Sequence, residues 1–126
     1  GALSAHEWEQ VRLHAYQSER ILAGSERRAP LAPMVGMHHE RLDGGGYHRG
    51  CTRSELPMPA RVLAAADAYQ AMTGRRPHRP ALAPERAEGR LLADARRGLL
   101  DPEAAGAVLA APAAPPWSPA RTCPPG

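Results

Sequence analysis

The chain has 126 residues, a net charge of +3 and 43% hydrophobic residues, which gives room for one domain or a large piece of one. That charge is too small to argue for direct nucleic-acid binding, no apolar run approaches the length of a membrane span, and no signal peptide is visible. Cys51 and Cys123 lack CxxC spacing and read as free thiols in a reducing, cytoplasmic compartment. Alanine is abundant, phenylalanine is absent and Ile21 is the sole isoleucine, a composition that favours helices over strands. So few large side chains predict a thin core that a further segment would complete. The chain opens on Gly1 rather than methionine, as expected of a fragment or a processed product.

Ser4 followed by Glu7 predicts a capping box at the start of a first helix, with Trp8, Val11, Ala15 and Leu22 near one face and Gly24-Ser25 at its end. A short second helix is predicted from Pro30 or Leu31 to the His38-His39 pair. Residues 40–58, rich in glycine and arginine, read as an ordered functional loop. Pro59 suits the first turn of a third helix reaching about Met72, apolar on nearly every side and therefore expected to be central and buried. A loop from Thr73 to Ala83 carries Arg75, Arg76 and Arg79 between prolines. Pro84 opens a fourth helix to about Arg97, and Asp101-Pro102-Glu103 a short fifth. From Pro112 onward six of fifteen residues are proline, so 112–126 is expected to be a disordered tail or linker beside a 1–111 domain.

The most informative stretch is His38-His39-Glu40-Arg41-Leu42-Asp43-Gly44-Gly45-Gly46-Tyr47-His48. Imidazole and carboxylate together make a ligand set for borderline divalent metals such as Zn, Mn, Fe or Ni. The glycines let the backbone turn sharply after those ligands. Adjacent residues of a regular helix point about 100° apart, so two metals sharing a small site could take His38 and His39 more easily than one. Asp67 is a carboxylate in the apolar run from Val62 to Ala68, and a buried one needs a cation, a metal or good donors. His14, three residues after Val11, leans toward the same buried face. A satisfied core histidine at 14, a salt bridge to arginine at 67 and solvated loop arginines at 76 and 79 are the plainer alternatives.

The long stretch resembles the HHExxDGxGYP signature of HD-GYP domains, metal-dependent phosphohydrolases that hydrolyse cyclic di-GMP. His38, His39, Glu40, Asp43, Gly44, Gly46 and Tyr47 match it position by position, while His48 stands where the family has proline. The similarity runs from about Leu3 to about Ala110 and corresponds to the C-terminal part of such a domain. The His-Asp doublet of the family name has no counterpart in this chain. Glu9 to His14 resembles the segment whose histidine binds metal, Ala65 to Tyr69 the segment whose aspartate is a ligand, and Arg76-Pro77-His78-Arg79 the RPYR stretch whose basic residues contact phosphate.

The resemblance implies an all-α, HD-superfamily-like bundle, truncated, with a long Gly-rich loop, from a bacterial signalling protein. It implies divalent metal ions, two of them, held by His14, His38, His39 and Asp67, with metal-activated water attacking a phosphodiester. Arg76 and Arg79 would bind substrate phosphate. Glu40, Asp43, Gly44, Gly46 and Tyr47 would form the signature loop and support the ligands. The substrate would be a phosphate ester such as cyclic di-GMP, and a signalling or DNA-binding domain would be a natural neighbour. The missing doublet and His48 point instead to a degenerate regulatory module that binds a nucleotide or partner without turnover. A structural helical fragment is a third reading.

Overall fold

The computed structural model describes residues 4–75 and 79–112. Five α-helices and one short 3₁₀ turn make up the described regular structure; among the described residues there is no β-strand, and Asp43 and Thr52 form an isolated bridge. The fold is all-α.

Helix α1 spans Ala5–Ala23, and the capping box forms: the Ser4 side chain accepts from the Glu7 N–H while the Glu7 carboxylate takes the Ser4 N–H at 2.8 Å. A 3₁₀ turn at Ala29–Leu31 leads into α2, Ala32–Gly36. Helix α2 is shorter than the expected run to the histidine pair. His38 and His39 lie past its end, in a turn where the Glu40 N–H bonds back to the Met37 carbonyl at 2.9 Å. Helix α3 spans Met58–Thr73 with Pro59 in its first turn, α4 spans Pro84–Arg96 and α5 spans Pro102–Ala110. Asp101 caps α5 by accepting from the Glu103 and Ala104 N–H groups at 2.9 and 3.1 Å.

Helices α3, α4 and α5 pack against one another, and the main core lies among them. On α4 the buried residues Ala87, Leu91 and Ala95 recur every four positions and face Ala64 and Met72 of α3, Leu100, and Ala105 of α5. Alanine at so many of these positions lets the helices approach closely, which is how a chain without phenylalanine fills its interior. As expected, α3 is central, touching α2, α4 and α5, although Leu63 on it is exposed. Helix α1 packs on α2 and the 3₁₀ turn, with Ala15 its buried residue, while Trp8, Val11, Tyr16 and Ile21 stay exposed. A smaller core of Leu42, Cys51, Leu56 and Ala60 sits under the Gly-rich loop.

Arg61 locks the two halves together. Its guanidinium donates to the Leu56 and Arg53 carbonyls at 2.7 and 2.6 Å and to Asp101 Oδ2 at 3.0 Å. Burial works to raise the Asp101 carboxyl, but the Ala104 amide, Arg61 and the Glu103 amide outweigh it and hold it below the usual range.

Candidate metal centre

Three imidazoles converge between α1 and the turn after α2, beside Asp67 of α3. His14 Nε2 lies 3.1 Å from His38 Nε2 and 2.9 Å from His39 Nε2. One nitrogen from each ring fits within 4.8 Å of the other two. Leaving the helix at Gly36 is what allows the neighbours His38 and His39 to aim at one point: their ring centroids are 4.0 Å apart, tilted by 42°.

The other ring nitrogens decide the tautomers. His14 Nδ1 bonds the Val11 carbonyl, and His38 Nδ1 bonds the Val35 carbonyl at 2.6 Å. A carbonyl only accepts, so both Nδ1 atoms carry the proton and both Nε2 atoms present lone pairs. His39 Nδ1 faces Asp67 Oδ2 at 3.7 Å, which directs its Nε2 inward as well. Three acceptor atoms at contact distance repel unless a cation lies between them. A proton can serve only two at once, and a divalent metal serves all three. Oxygen partners on the far nitrogens are also what orients histidine ligands in metal sites.

Burial, with the neighbouring His38, pushes His39 down to about 4, outweighing the attraction of Asp67. A neutral imidazole is the form that binds metal.

Asp67 is half-buried rather than deeply buried: its side chain is 37% exposed and lines the cleft. Its near partner is His39, and the arginine pair expected of a plain structural carboxylate is made by Asp101 instead. The oxygen at 3.7 Å from His39 Nδ1 lies outside the three-nitrogen cluster.

The signature loop folds over this centre. Glu40 is 2% exposed and accepts from the Arg49 N–H at 2.7 Å and the Cys51 N–H at 2.9 Å, so a buried carboxylate is satisfied by the backbone of the loop it supports. Asp43 is exposed and takes the Gly45 N–H at 2.8 Å, stabilising the turn. Gly44 has a φ of 78°, and a Cβ on Gly46 would fall 2.4 Å from the Arg41 nitrogen and Glu40 Cα, so neither position accommodates a side chain. Tyr47 stacks on His39, with centroids 4.7 Å apart at 28°, and donates its backbone N–H to the His39 carbonyl at 3.2 Å. Arg12 lies over the other part of that ring, 5.3 Å from its centroid. Burial and Asp67 raise the Tyr47 phenol above its ordinary range.

A cleft of about 910 Å³ opens from the histidines, lined also by Asp67 and Arg79. The Arg79 guanidinium donates to the Ala71 carbonyl at 2.5 Å. Arg76 lies outside the described residues. The sequence reading missed Trp8, Arg41 and Arg90, which line the same cleft. Val11, three residues from each of Trp8 and His14, links the two along α1 and was the available signal. Nothing local marks Arg90, which lies on α4 beside Asp94, Nε to Oδ1 3.6 Å.

The family model described as "HD domain" matches residues 1–104. A 3′3′-cGAMP-specific phosphodiesterase of Vibrio cholerae is 35% identical over 108 residues, covering 86% of this chain and 23% of that protein. The cyclic di-GMP phosphodiesterase response regulator RpfG of Xanthomonas campestris is 32% identical over 111 residues, 86% of this chain and 29% of its own length. A cyclic di-GMP phosphodiesterase of Thermotoga maritima is 37% identical over 83 residues, covering 63% of this chain and 22% of that protein. The chain thus spans about a quarter of the length of the curated relatives it matches. It belongs to the HD domain family, in its HD-GYP-like form.

Proposed function

We propose that this HD-domain chain is the metal-binding part of a phosphohydrolase that opens a cyclic dinucleotide. The observation that carries the reading is the convergence of three Nε2 atoms on the floor of an arginine-lined cleft. Relatives named for cyclic di-GMP and 3′3′-cGAMP hydrolysis support the substrate class.

His14, His38 and His39 would hold a divalent cation, and Asp67 would ligate it or brace His39. A pair of ions drawn from Fe, Mn, Zn or Ni fits the mixed imidazole–carboxylate set. When bound, such a cation supplies Lewis acidity toward phosphoryl oxygens and activates water. The chain's own residues do the rest. The Val11 and Val35 carbonyls fix the tautomers of His14 and His38, and Asp67 lies beside His39 Nδ1. Glu40 holds the loop that seats Tyr47 against His39. Arg79, with Arg76, Arg41 and Arg90, would orient the phosphates and offset the negative charge that builds on them. Water adds across one phosphodiester bond, so the product is a linear dinucleotide.

No helix among the described residues is long and apolar enough to cross a membrane. A cytoplasmic setting, and a signalling or DNA-binding domain as neighbour, belong to the same proposal. A second reading, a module that binds a dinucleotide or partner without turnover, is favoured by His48, which stands where the signature has proline.

The test is to incubate the full-length protein that contains this chain with cyclic di-GMP or 3′3′-cGAMP and Mn²⁺ or Fe²⁺ under reducing conditions and follow linear product by chromatography. The expected result is turnover that disappears in His39→Ala. Saturable dinucleotide binding with no product would establish the second reading instead.

A further inference from the structure

Two glutamates grip the signature loop from opposite sides. Glu40 holds the backbone of Arg49 and Cys51 from within. Glu19 reaches the same segment from α1: the Arg49 guanidinium pairs with its Oε1, and His48 Nε2 stands 3.6 Å from its Oε2. The Glu19 side chain is only 16% exposed. Gly36 on α2 makes room for it, since a Cβ there would lie 2.3 Å from Glu19 Oε2 and 3.2 Å from Glu19 Cβ. Tyr16 closes the niche, its ring edge-on to His48 with centroids 5.7 Å apart.

The placement links this niche to the histidines. Glu19 and His14 share α1, five residues apart, and Tyr47, stacked on His39, directly precedes the gripped pair. A charge taken so far out of water is costly unless it is paired. Arg49 supplies the pairing, and the loop must stay seated to provide it. His48 has no counterpart in the signature, where proline's fixed φ would stiffen the backbone. In this chain a side-chain clamp falls on the next residue, Arg49, instead.

We propose that Glu19 is a positioning residue. By gripping Arg49, beside His48, it seats Tyr47 on His39 and holds the three-histidine cluster in its metal-binding arrangement. The inference rests on the metal-site reading, so its test includes a readout independent of metal. Mn²⁺ and Co²⁺ are titrated by calorimetry into the full chain and its Glu19→Ala, Glu19→Gln and Arg49→Ala variants, at a temperature where circular dichroism shows each to be folded. In parallel, labelling of the buried Cys51 thiol is timed in a Cys123→Ser background.

Glu19→Ala and Arg49→Ala should each weaken metal binding at least fivefold and speed Cys51 labelling. The double variant should be little worse than either alone, as expected of two halves of one contact. Glu19→Gln, which can still accept from Arg49, should recover part of both effects. Arg49 is the more exposed partner, so its replacement tests the clamp even where Glu19→Ala does not fold. Unchanged metal affinity in folded Glu19→Ala would overturn the proposal, as would additive losses in the double variant. If the wild type binds neither metal, the three-histidine reading fails, and unchanged Cys51 labelling would then sink the clamp as well.

Discussion

The two halves of the molecule are held together differently. The half formed by α3, α4 and α5 encloses the main core around Leu91, Leu100 and the surrounding alanines. The half formed by α1, α2 and the signature loop buries few large side chains, and polar contacts fix it: Glu40 on loop amides, Glu19 on Arg49, and imidazoles on backbone carbonyls. Hydrophobic packing tolerates small shifts, whereas metal ligands must be held to a few tenths of an ångström. The helical trio therefore acts as the frame, and the polar half carries the proposed metal site. The contrast also predicts where metal matters: it should stabilise the polar half most.

The sharpest way to break this comparison is to attack the frame. Leu91 is 0% exposed, and Leu91→Ala should cost about 2–5 kcal/mol in urea unfolding through the cavity it leaves. A loss below 1 kcal/mol would mean that the trio is not the stabilising half. Next comes metal. Mn²⁺ at a hundred times its dissociation constant should add about 2.7 kcal/mol by mass action, and His14→Ala should abolish the gain. Equal stabilisation of wild type and His14→Ala would place the ion elsewhere.

Acid should act on the polar half. His39 titrates at about 4 in the fold and near 6.5 when unfolded, so between those values the unfolded chain binds more protons. The metal-free protein should keep full stability above pH 6.5 and lose on the order of 2 kcal/mol, allowing for solvent screening of a half-buried ring, as pH falls from 6.5 to 4. In His39→Gln that part of the slope should vanish, and denaturation curves at several pH values would reveal it. Arg79→Ala should leave metal content unchanged but lower catalytic efficiency about tenfold, a loss of about 1.4 kcal/mol. Unchanged kcat/KM on every cyclic dinucleotide the wild type opens would remove Arg79 from the substrate contacts. The smallest effect is expected at Ile21, which is 75% exposed: Ile21→Ala should shift stability by less than about 0.5 kcal/mol. A larger loss would mean that α1 is packed more tightly than its exposure indicates.

Much of this was legible in the sequence because it is local. The Ser4–Glu7 box fixed the start of α1, and prolines at 59, 84 and 102 marked the first turns of α3, α4 and α5. The signature picked out His38, His39, Glu40 and Tyr47, since they stand within ten residues of one another in one recognisable pattern. Contacts across the chain were not legible. Arg61 meets Asp101 over 40 residues, and Arg49 meets Glu19 over 30. Spacing cannot encode such pairs, because either arginine could serve any carboxylate until the helices are placed.

The histidine pair shows the division most clearly. The sequence by itself determined that two imidazoles stand side by side, and with the short helix expected to run to the pair, helical geometry set them about 100° apart. The tertiary structure decided otherwise: the helix stops at Gly36, whose missing side chain lets Glu19 pack against it, and the turn beyond swings both rings toward His14. Residue type determined which atoms could bind a cation. Only the packing of α1 on α2 brought three of them to one point, because convergence depends on where separate helices lie and not on the order of residues within any one of them.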